Sequence, residues 1–281
     1  MVIDATRYGH TYVDAIKNMI YYIYNLFIWY LLPYKEHRRL FVIFEDVYLF
    51  GDSVARGIIV DEQGKYVPIK ECFSALVAEK LGINLVNKAR FGCTITKGFD
   101  ILRRYISGER APVPAGNGES LAVLEFGGND CDFLWDQVAA KPEAEHLPAT
   151  PLAEFSTIYS QMIDTLRSNG LRPAIMSLPP LVADRYFDWI TRNGLDRRAI
   201  LSWLGDVQQI FRWHEGYDEA VRRIAAVKSC PLLDIRKAFL EKRNYREYMC
   251  QDGIHPNREG HRLIESALEA YAARAGSPLL A

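Results

Sequence analysis

The 281-residue sequence has no excess of positive charge: 34 lysines and arginines stand against 35 aspartates and glutamates. Sequence-independent attraction to nucleic-acid phosphates needs such an excess, so nucleic acid is not an expected partner. Cysteines are few. The five, Cys72, Cys93, Cys131, Cys230 and Cys250, are odd in number and contain no C-x-x-C pair. This argues against a disulfide framework or a structural zinc site and for a reducing compartment. The cytoplasm is therefore the expected location, with membrane association or secretion as the alternative. A long apolar segment is missing as well. The aromatic run Met19 to Leu32 has 14 residues and would span roughly 21 Å as a helix, whereas a bilayer core of about 30 Å needs about 20 such residues. Pro33, Tyr34 and Lys35 follow it where a secretory leader would carry a small-residue cleavage pattern, and Asp4 and Asp14 precede it, which argues against a signal peptide. His10, His37, His146, His214 and His261 lack metal-ligand spacing with one another or with acidic residues, so no metal is expected. No internal repeat is present.

What is there belongs to an ordinary globular chain, 49% hydrophobic and 25% charged. Residues 1–40 read as an N-terminal aromatic and apolar extension, and residues 41–281 as one larger domain. The tyrosines, Phe27 and Trp29 of the extension suit a boundary between water and something apolar. That is a packing helix, a membrane contact through residues 19–32, or a second subunit in a homo-oligomer.

From Phe41 the run FVIFEDVYLF stops at Gly51-Asp52-Ser53, as a buried strand ending in a tight turn would. A helix is expected over Ile69 to Leu81, with Gly82 as its stop, followed by a strand in INLVNKA. Ser120 to Phe126 reads as a third strand emptying into Gly127-Gly128-Asn129-Asp130. Apolar positions from Leu152 to Leu166 repeat at helical spacing, PAIMSL gives the next strand, and a helix around Asp218 to Val227 leads to PLLDI. A last amphipathic helix covers about Arg258 to Ala273. Strands alternating with helices predict a three-layer α/β/α, doubly wound and mostly parallel sheet. Ligands of such sheets bind beyond the carboxyl ends of the strands, where Ser53, Asn129 and Pro179-Pro180 fall.

A lone Gly-Asp-Ser is ordinary turn chemistry. Here four blocks occur in order: Gly51-Asp52-Ser53-Val54, Gly92 within ARFGCT, Gly127-Gly128-Asn129-Asp130, and Asp252-Gly253-Ile254-His255. Together, over about Val47 to Leu268, they resemble the SGNH/GDSL hydrolases. The resemblance implies a flavodoxin-like fold and cleavage of esters or thioesters with no metal or organic cofactor. It makes Ser53 the nucleophile, His255 its general base and Asp252 the group that orients the histidine. It makes the main-chain N–H groups of Ser53 and Gly92 and the side-chain amide of Asn129 the donors to the oxyanion. A side chain at position 92 would obstruct the substrate's approach, although a loop glycine of positive φ explains the residue nearly as well. Asp52 is expected to hold its turn by local hydrogen bonds, and Asp130 and Asp132 to be structural partners.

The stretch 181–217 is long for a strand-to-helix connection and carries Tyr186, Phe187, Trp189, Trp203, Phe211 and Trp213. It reads equally as a cap insertion over Ser53 and as a helical pair packed into the core or a dimer interface. The expected activity is that of a serine esterase or acylhydrolase on an acetyl or short acyl ester, of small-molecule, glycan or lipid origin. The alternatives are an acyltransferase using the same site and a noncatalytic carbohydrate- or lipid-binding protein on the same fold.

Overall fold

The computed structural model describes residue 44 and residues 46–108 and 120–275. The expected extension 1–40 lies outside the described residues. Strand β1 (Asp46–Gly51) carries Val47 and Leu49 on one face and Tyr48 and Phe50 on the other, the period-2 alternation of a strand buried on both sides. A short helix α1 (Ser53–Arg56) follows, then a hairpin of β2 (Ile58–Val60) and β3 (Tyr66–Pro68), helix α2 (Phe73–Leu81), β4 (Asn84–Asn87) and α3 (Ile95–Ile106). After β5 (Ser120–Glu125) come α4 (Trp135–Ala140), α5 (Leu152–Ser168), β6 (Arg172–Met176), α6 (Ala183–Thr191), α7 (Arg197–Leu204) and α8 (Gln208–Val227). The chain ends on β7 (Leu232–Leu233), α9 (Ile235–Leu240), a 3-10 turn (Tyr245–Tyr248) and α10 (Arg258–Ala275).

Among the described residues five strands form a parallel sheet in the order β4-β1-β5-β6-β7. Tyr48, Phe50, Ala122, Leu124 and Ile175 pack with Phe99 and Leu102 of α3, Phe155, Tyr159 and Met162 of α5, and Tyr217 and Val221 of α8. Val47, Leu49, Val123 and Met176 meet Phe73 of α2, Ile235 and Phe239 of α9, and Ile264 of α10 on the opposite face. This is the expected three-layer, doubly wound sheet. The chain order reverses direction between β1 and β5, and the crevice at their carboxyl ends is where such sheets bind ligands. All five cysteines are buried free thiols.

Several boundaries differ from the expected ones. Helix α2 starts at Phe73 rather than Ile69, because the Ile69 N–H is used by Gly57 O at 2.9 Å and Cys72 is still extended, at φ −80 and ψ 160. Helix α8 starts ten residues before Asp218: Gly216 is tolerated inside it, while Ile210, Tyr217, Val221 and Ile224 are buried at helical spacing. The strand in PLLDI shrinks to Leu232–Leu233, since Asp234 already caps α9 by accepting from Lys237 N at 3.2 Å. No helix among the described residues is long and apolar enough to cross a membrane.

Candidate active site

Strand β1 delivers the turn that carries Ser53. Gly51 runs so close to β5 that a Cβ there would lie 2.7 Å from Glu125 O, so the turn is packed directly on the neighbouring strand. Asp52 caps α1, its Oδ1 accepting from Val54 N at 2.9 Å, and Ser53 is the first residue of that helix.

The loop before α10 brings the partners. His255 Nε2 lies 2.8 Å from Ser53 Oγ, and His255 Nδ1 lies 2.5 Å from Asp252 Oδ2. The main-chain N–H groups of Ile254 and His255 both donate to Asp252 Oδ1 at 3.2 Å, which fixes the carboxylate from its own loop. Ser53, Asp252 and His255 are 7%, 0% and 3% exposed, so bulk water competes little for these bonds. Gly253 makes the loop possible. Its φ of +76 is left-handed, and a Cβ would stand 2.5 Å from Val182 O.

Opposite the histidine, Gly127 (φ +140) turns the chain out of β5 so tightly that a Cβ would meet Leu178 Cδ1 at 2.8 Å. The turn carries Asn129 to the Ser53 turn, where its Nδ2 donates to Asp52 Oδ2 at 2.9 Å. Asp130, next in sequence, points away and accepts the Ile95 N–H, at 2.9 Å to Oδ1 and 3.2 Å to Oδ2. It thereby supplies the cap that Thr94 leaves unmade at the start of α3 and ties the Gly92 loop to the Asn129 turn. Burial pushes the Asp130 carboxyl up to about 7. Gly92 has φ +65, but a Cβ there would meet nothing within 4 Å. The left-handed backbone is therefore the constraint that the protein's own atoms place on this residue. Asp132 accepts from the Tyr186 hydroxyl at 2.7 Å and from Trp135 Nε1 at 2.8 Å, both at Oδ1, a structural partnership as expected.

These residues open on a cleft of about 310 Å³. On the His255 side its wall is aromatic. Tyr66 of the hairpin lies 5.2 Å from the imidazole centroid, Phe91 stacks on the imidazole at 6.3 Å and 9°, and Trp189 of α6 donates to the Tyr66 hydroxyl at 2.6 Å. Across from it, Leu178, Pro179, Phe133, Trp135, Tyr186 and Trp213 line the wall. Tyr186, Trp189 and Trp213 of the stretch 181–217 line the cleft, and Tyr186 also packs with Phe187, Ile200 and Leu204 against Phe133 and Val138, so the same segment lines the cleft and builds the core beside it. His214 also lines the cleft, and burial brings its pKa down to about 3. Among the described residues no cluster of His, Cys, Asp or Glu could hold a metal ion.

The residue missed in the sequence is Glu125, 1% exposed directly beneath the nucleophile turn, with its Oε2 accepting from Asp52 N at 3.4 Å and Ala55 N at 3.3 Å. A charged side chain inside the apolar run SLAVLEF was the signal available, since an acid is rarely so buried without a partner.

The sequence profile of the GDSL-like lipase/acylhydrolase family matches residues 49–263, from within β1 to beyond His255. The chain belongs to that family. Membership makes it a hydrolase acting on ester bonds. Solved structures of similar fold include a lipase/acylhydrolase from Enterococcus faecalis (TM-score 0.53, 18% identity, 82% of this chain and 96% of that one). A GDSL-like lipase from Bacteroides thetaiotaomicron aligns at TM-score 0.51 and 16% identity over 91% of this chain and 98% of the other. An acetyl xylan esterase aligns at TM-score 0.51 and 19% identity over 80% and 98%. At such identities the likeness is one of fold. No curated protein is significantly similar to the chain in sequence.

Proposed function

We propose that this GDSL hydrolase cleaves a carboxylic ester of an acetyl or short acyl group through an acyl-serine intermediate on Ser53. The observation that carries the reading is the unbroken hydrogen-bonded chain from Ser53 Oγ through His255 to Asp252, at 2.8 and 2.5 Å. His255 Nε2 takes the Ser53 proton as Oγ attacks the carbonyl carbon, and the imidazolium that forms is held by Asp252. The oxyanion is met by Asn129 Nδ2 and by the main-chain N–H groups of Ser53 and Gly92. Removal of one such donor costs about 10²- to 10³-fold in kcat in known cases. Collapse expels the alcohol, which leaves with the proton carried by His255. Water, deprotonated by the same imidazole, then releases the acid.

The cleft supports a small acyl group. At about 310 Å³ it stands at the lower end of the range of ligand pockets, and the alcohol must leave past His255, where Tyr66, Phe91 and Trp189 gather. Flat faces there suit a sugar or aromatic alcohol.

The test is turnover of nitrophenyl acetate, butyrate and octanoate by wild type, Ser53→Ala, His255→Ala and Asn129→Ala, with fluorophosphonate labelling alongside. Loss of several orders of magnitude in the first two variants and about 10²- to 10³-fold in the third is expected, with acetate preferred over octanoate. An inactive wild type that a fluorophosphonate leaves unlabelled would sink the esterase reading in favour of a binding protein on the same fold. Added alcohol that is acylated in preference to water would turn it into a transferase.

A further inference from the structure

Asp52 lies in the Ser53 turn and Glu125 beneath it at the end of β5, yet the triad uses neither. Both are shielded from water, at 2% and 1% exposure. Their polar contacts run to the main chain on either side of Ser53 and to Asn129. Asp52 Oδ1 accepts from Val54 N, one residue beyond the nucleophile, and Oδ2 accepts from Asn129 Nδ2, both at 2.9 Å. Glu125 Oε2 receives the N–H groups of Asp52 and Ala55, which bracket the nucleophile. The two carboxyl groups are neighbours, Glu125 Oε2 lying within hydrogen-bond distance of the Asp52 main chain.

Two neighbouring acids away from water cannot both be ionised, because neither solvent nor a cation offsets their repulsion. One proton must lie between them. We propose that Asp52 and Glu125 are a proton-sharing pair of positioning residues that aims the second Asn129 N–H at the oxyanion and couples that aim to the nucleophile turn. This rests on the esterase reading and deepens it.

The assignment of the proton follows from the partners. Burial raises Asp52 above its ordinary value, but the N–H bonds it accepts from Val54 and Asn129 oppose that rise and favour its charged form. Burial raises Glu125 well above the ordinary carboxylate range, and the Asp52 charge and the hydrogen bond to Asp52 raise it further. Glu125 is therefore the donor and Asp52 the acceptor. An ionised Asp52 binds one Asn129 N–H as a charge-assisted bond, which locks the amide plane and leaves the other N–H free for substrate. An amide held only by neutral partners would rotate to satisfy itself, and its alignment would have to be won in each turnover.

Two sets of measurements test the pair. In kinetics on nitrophenyl acetate, Asp52→Asn should lower kcat about 10- to 100-fold with KM little changed. In an Asn129→Ala background the same change should cost less than about threefold, because the two act on one interaction. Glu125→Leu, which strips Asp52 of its donor, should fall at least as far as Asp52→Asn, and Glu125→Gln, which restores an N–H donor of similar shape, should recover at least tenfold of that loss. Additive losses for Asp52 and Asn129, or a Glu125→Gln variant no better than Glu125→Leu, would overturn the pair. The second readout does not depend on turnover. In ¹⁵N-labelled protein the Asn129 side-chain amide, assigned through Asn129→Ala, should show one proton shifted strongly downfield of the other, and Asp52→Asn should collapse that separation. An Asn129 amide with two ordinary protons in wild type overturns the pair even if the ester is hydrolysed, and a split amide in an inactive enzyme sustains it while the esterase reading fails.

Discussion

Trp189 Nε1 donates to the Tyr66 hydroxyl at 2.6 Å, and this one bond ties helix α6 to the β2–β3 hairpin across the mouth of the cleft. The two rings are 5.9 Å apart in an edge-to-face arrangement, and Tyr66 in turn stands 5.2 Å from His255. The rim beside the leaving group is thus a joint between two separate segments. Trp189→Ala should raise KM for aryl and glycosyl acetates about 5- to 10-fold, the worth of a lost ring contact of about 1 kcal/mol, and should leave KM for ethyl acetate almost unmoved. Equal effects on all three esters would remove the rim from substrate recognition.

Gly253 and Gly92 both have left-handed backbones, but their surroundings differ. An added Cβ at Gly253 would strike Val182 O at 2.5 Å and Arg185 Cβ at 2.9 Å, whereas at Gly92 it would enter open space. Gly92→Ala should cost only the conformational penalty, about 1–2 kcal/mol, and retain most activity. Gly253→Ala must displace the loop that holds Asp252 and His255, so it should abolish turnover along with a larger fall in melting temperature. Comparison of the two variants by calorimetry and nitrophenyl acetate hydrolysis decides the matter, and an active Gly253→Ala would show that the loop has slack.

Acid should destabilise the fold through two histidines that the reaction does not use. Burial lowers His261 from 6.5 to about 4 and His214 from 6.5 to about 3. The unfolded chain binds protons that the native one refuses. Their stabilisation is present above pH 6.5 and is lost as pH falls through 4 and then 3, by on the order of 1 kcal/mol per pH unit for each group. Asp130 works in the opposite sense. Its folded pKa of about 7 lies above its ordinary 3.8, so its contribution is complete below 3.8 and fades as pH rises to 7. Unfolding of wild type, His261→Gln and Asp130→Asn between pH 4.5 and 7.5 should give a flatter pH dependence for the first variant and a steeper one for the second. Parallel curves would contradict both assignments.

The Asp132 carboxylate joins the Asn129 turn to α6 by accepting from Tyr186 OH, and to α4 through Trp135 Nε1. Tyr186→Phe removes one donor from a buried acid, at a cost of about 1–3 kcal/mol. That is a fall of roughly 2–10 °C in melting temperature for a chain of this size. An unchanged melting temperature would mean that the acid finds a donor elsewhere.

The sheet was legible because β1, β5 and β6 are continuous apolar runs, each stopped by a glycine or proline turn, as strands buried on both faces must be. Ser53, Asn129, Asp252 and His255 stood out as candidates because each lies in a short contiguous block of the sequence, and the structure brings those blocks together. The β2–β3 hairpin was not legible: each strand has three residues, and its turn is held by Asp61 Oδ1 accepting from Gln63 N and Lys65 N at 2.9 Å, a pattern with no hydrophobic period. Helix α3 escaped because its cap is Asp130, 35 residues away, rather than a residue beside it. Glu125 was hidden for the same reason, since its partners belong to another strand's turn.

The buried thiols stand at informative places. Cys93 adjoins Gly92, Cys131 follows Asn129 by two residues with its Sγ on Gly128 O at 3.3 Å, and Cys250 precedes Asp252 by two with its main-chain N–H on His255 O at 2.8 Å. Burial raises all three thiol pKa values, so neither exposure nor thiolate character favours attack by an alkylating reagent on the closed molecule. Each of these turns thus carries its own chemical clock: the rate at which a maleimide labels a given cysteine follows how often that turn opens, and at reagent concentrations where alkylation outpaces reclosing it becomes the opening rate itself.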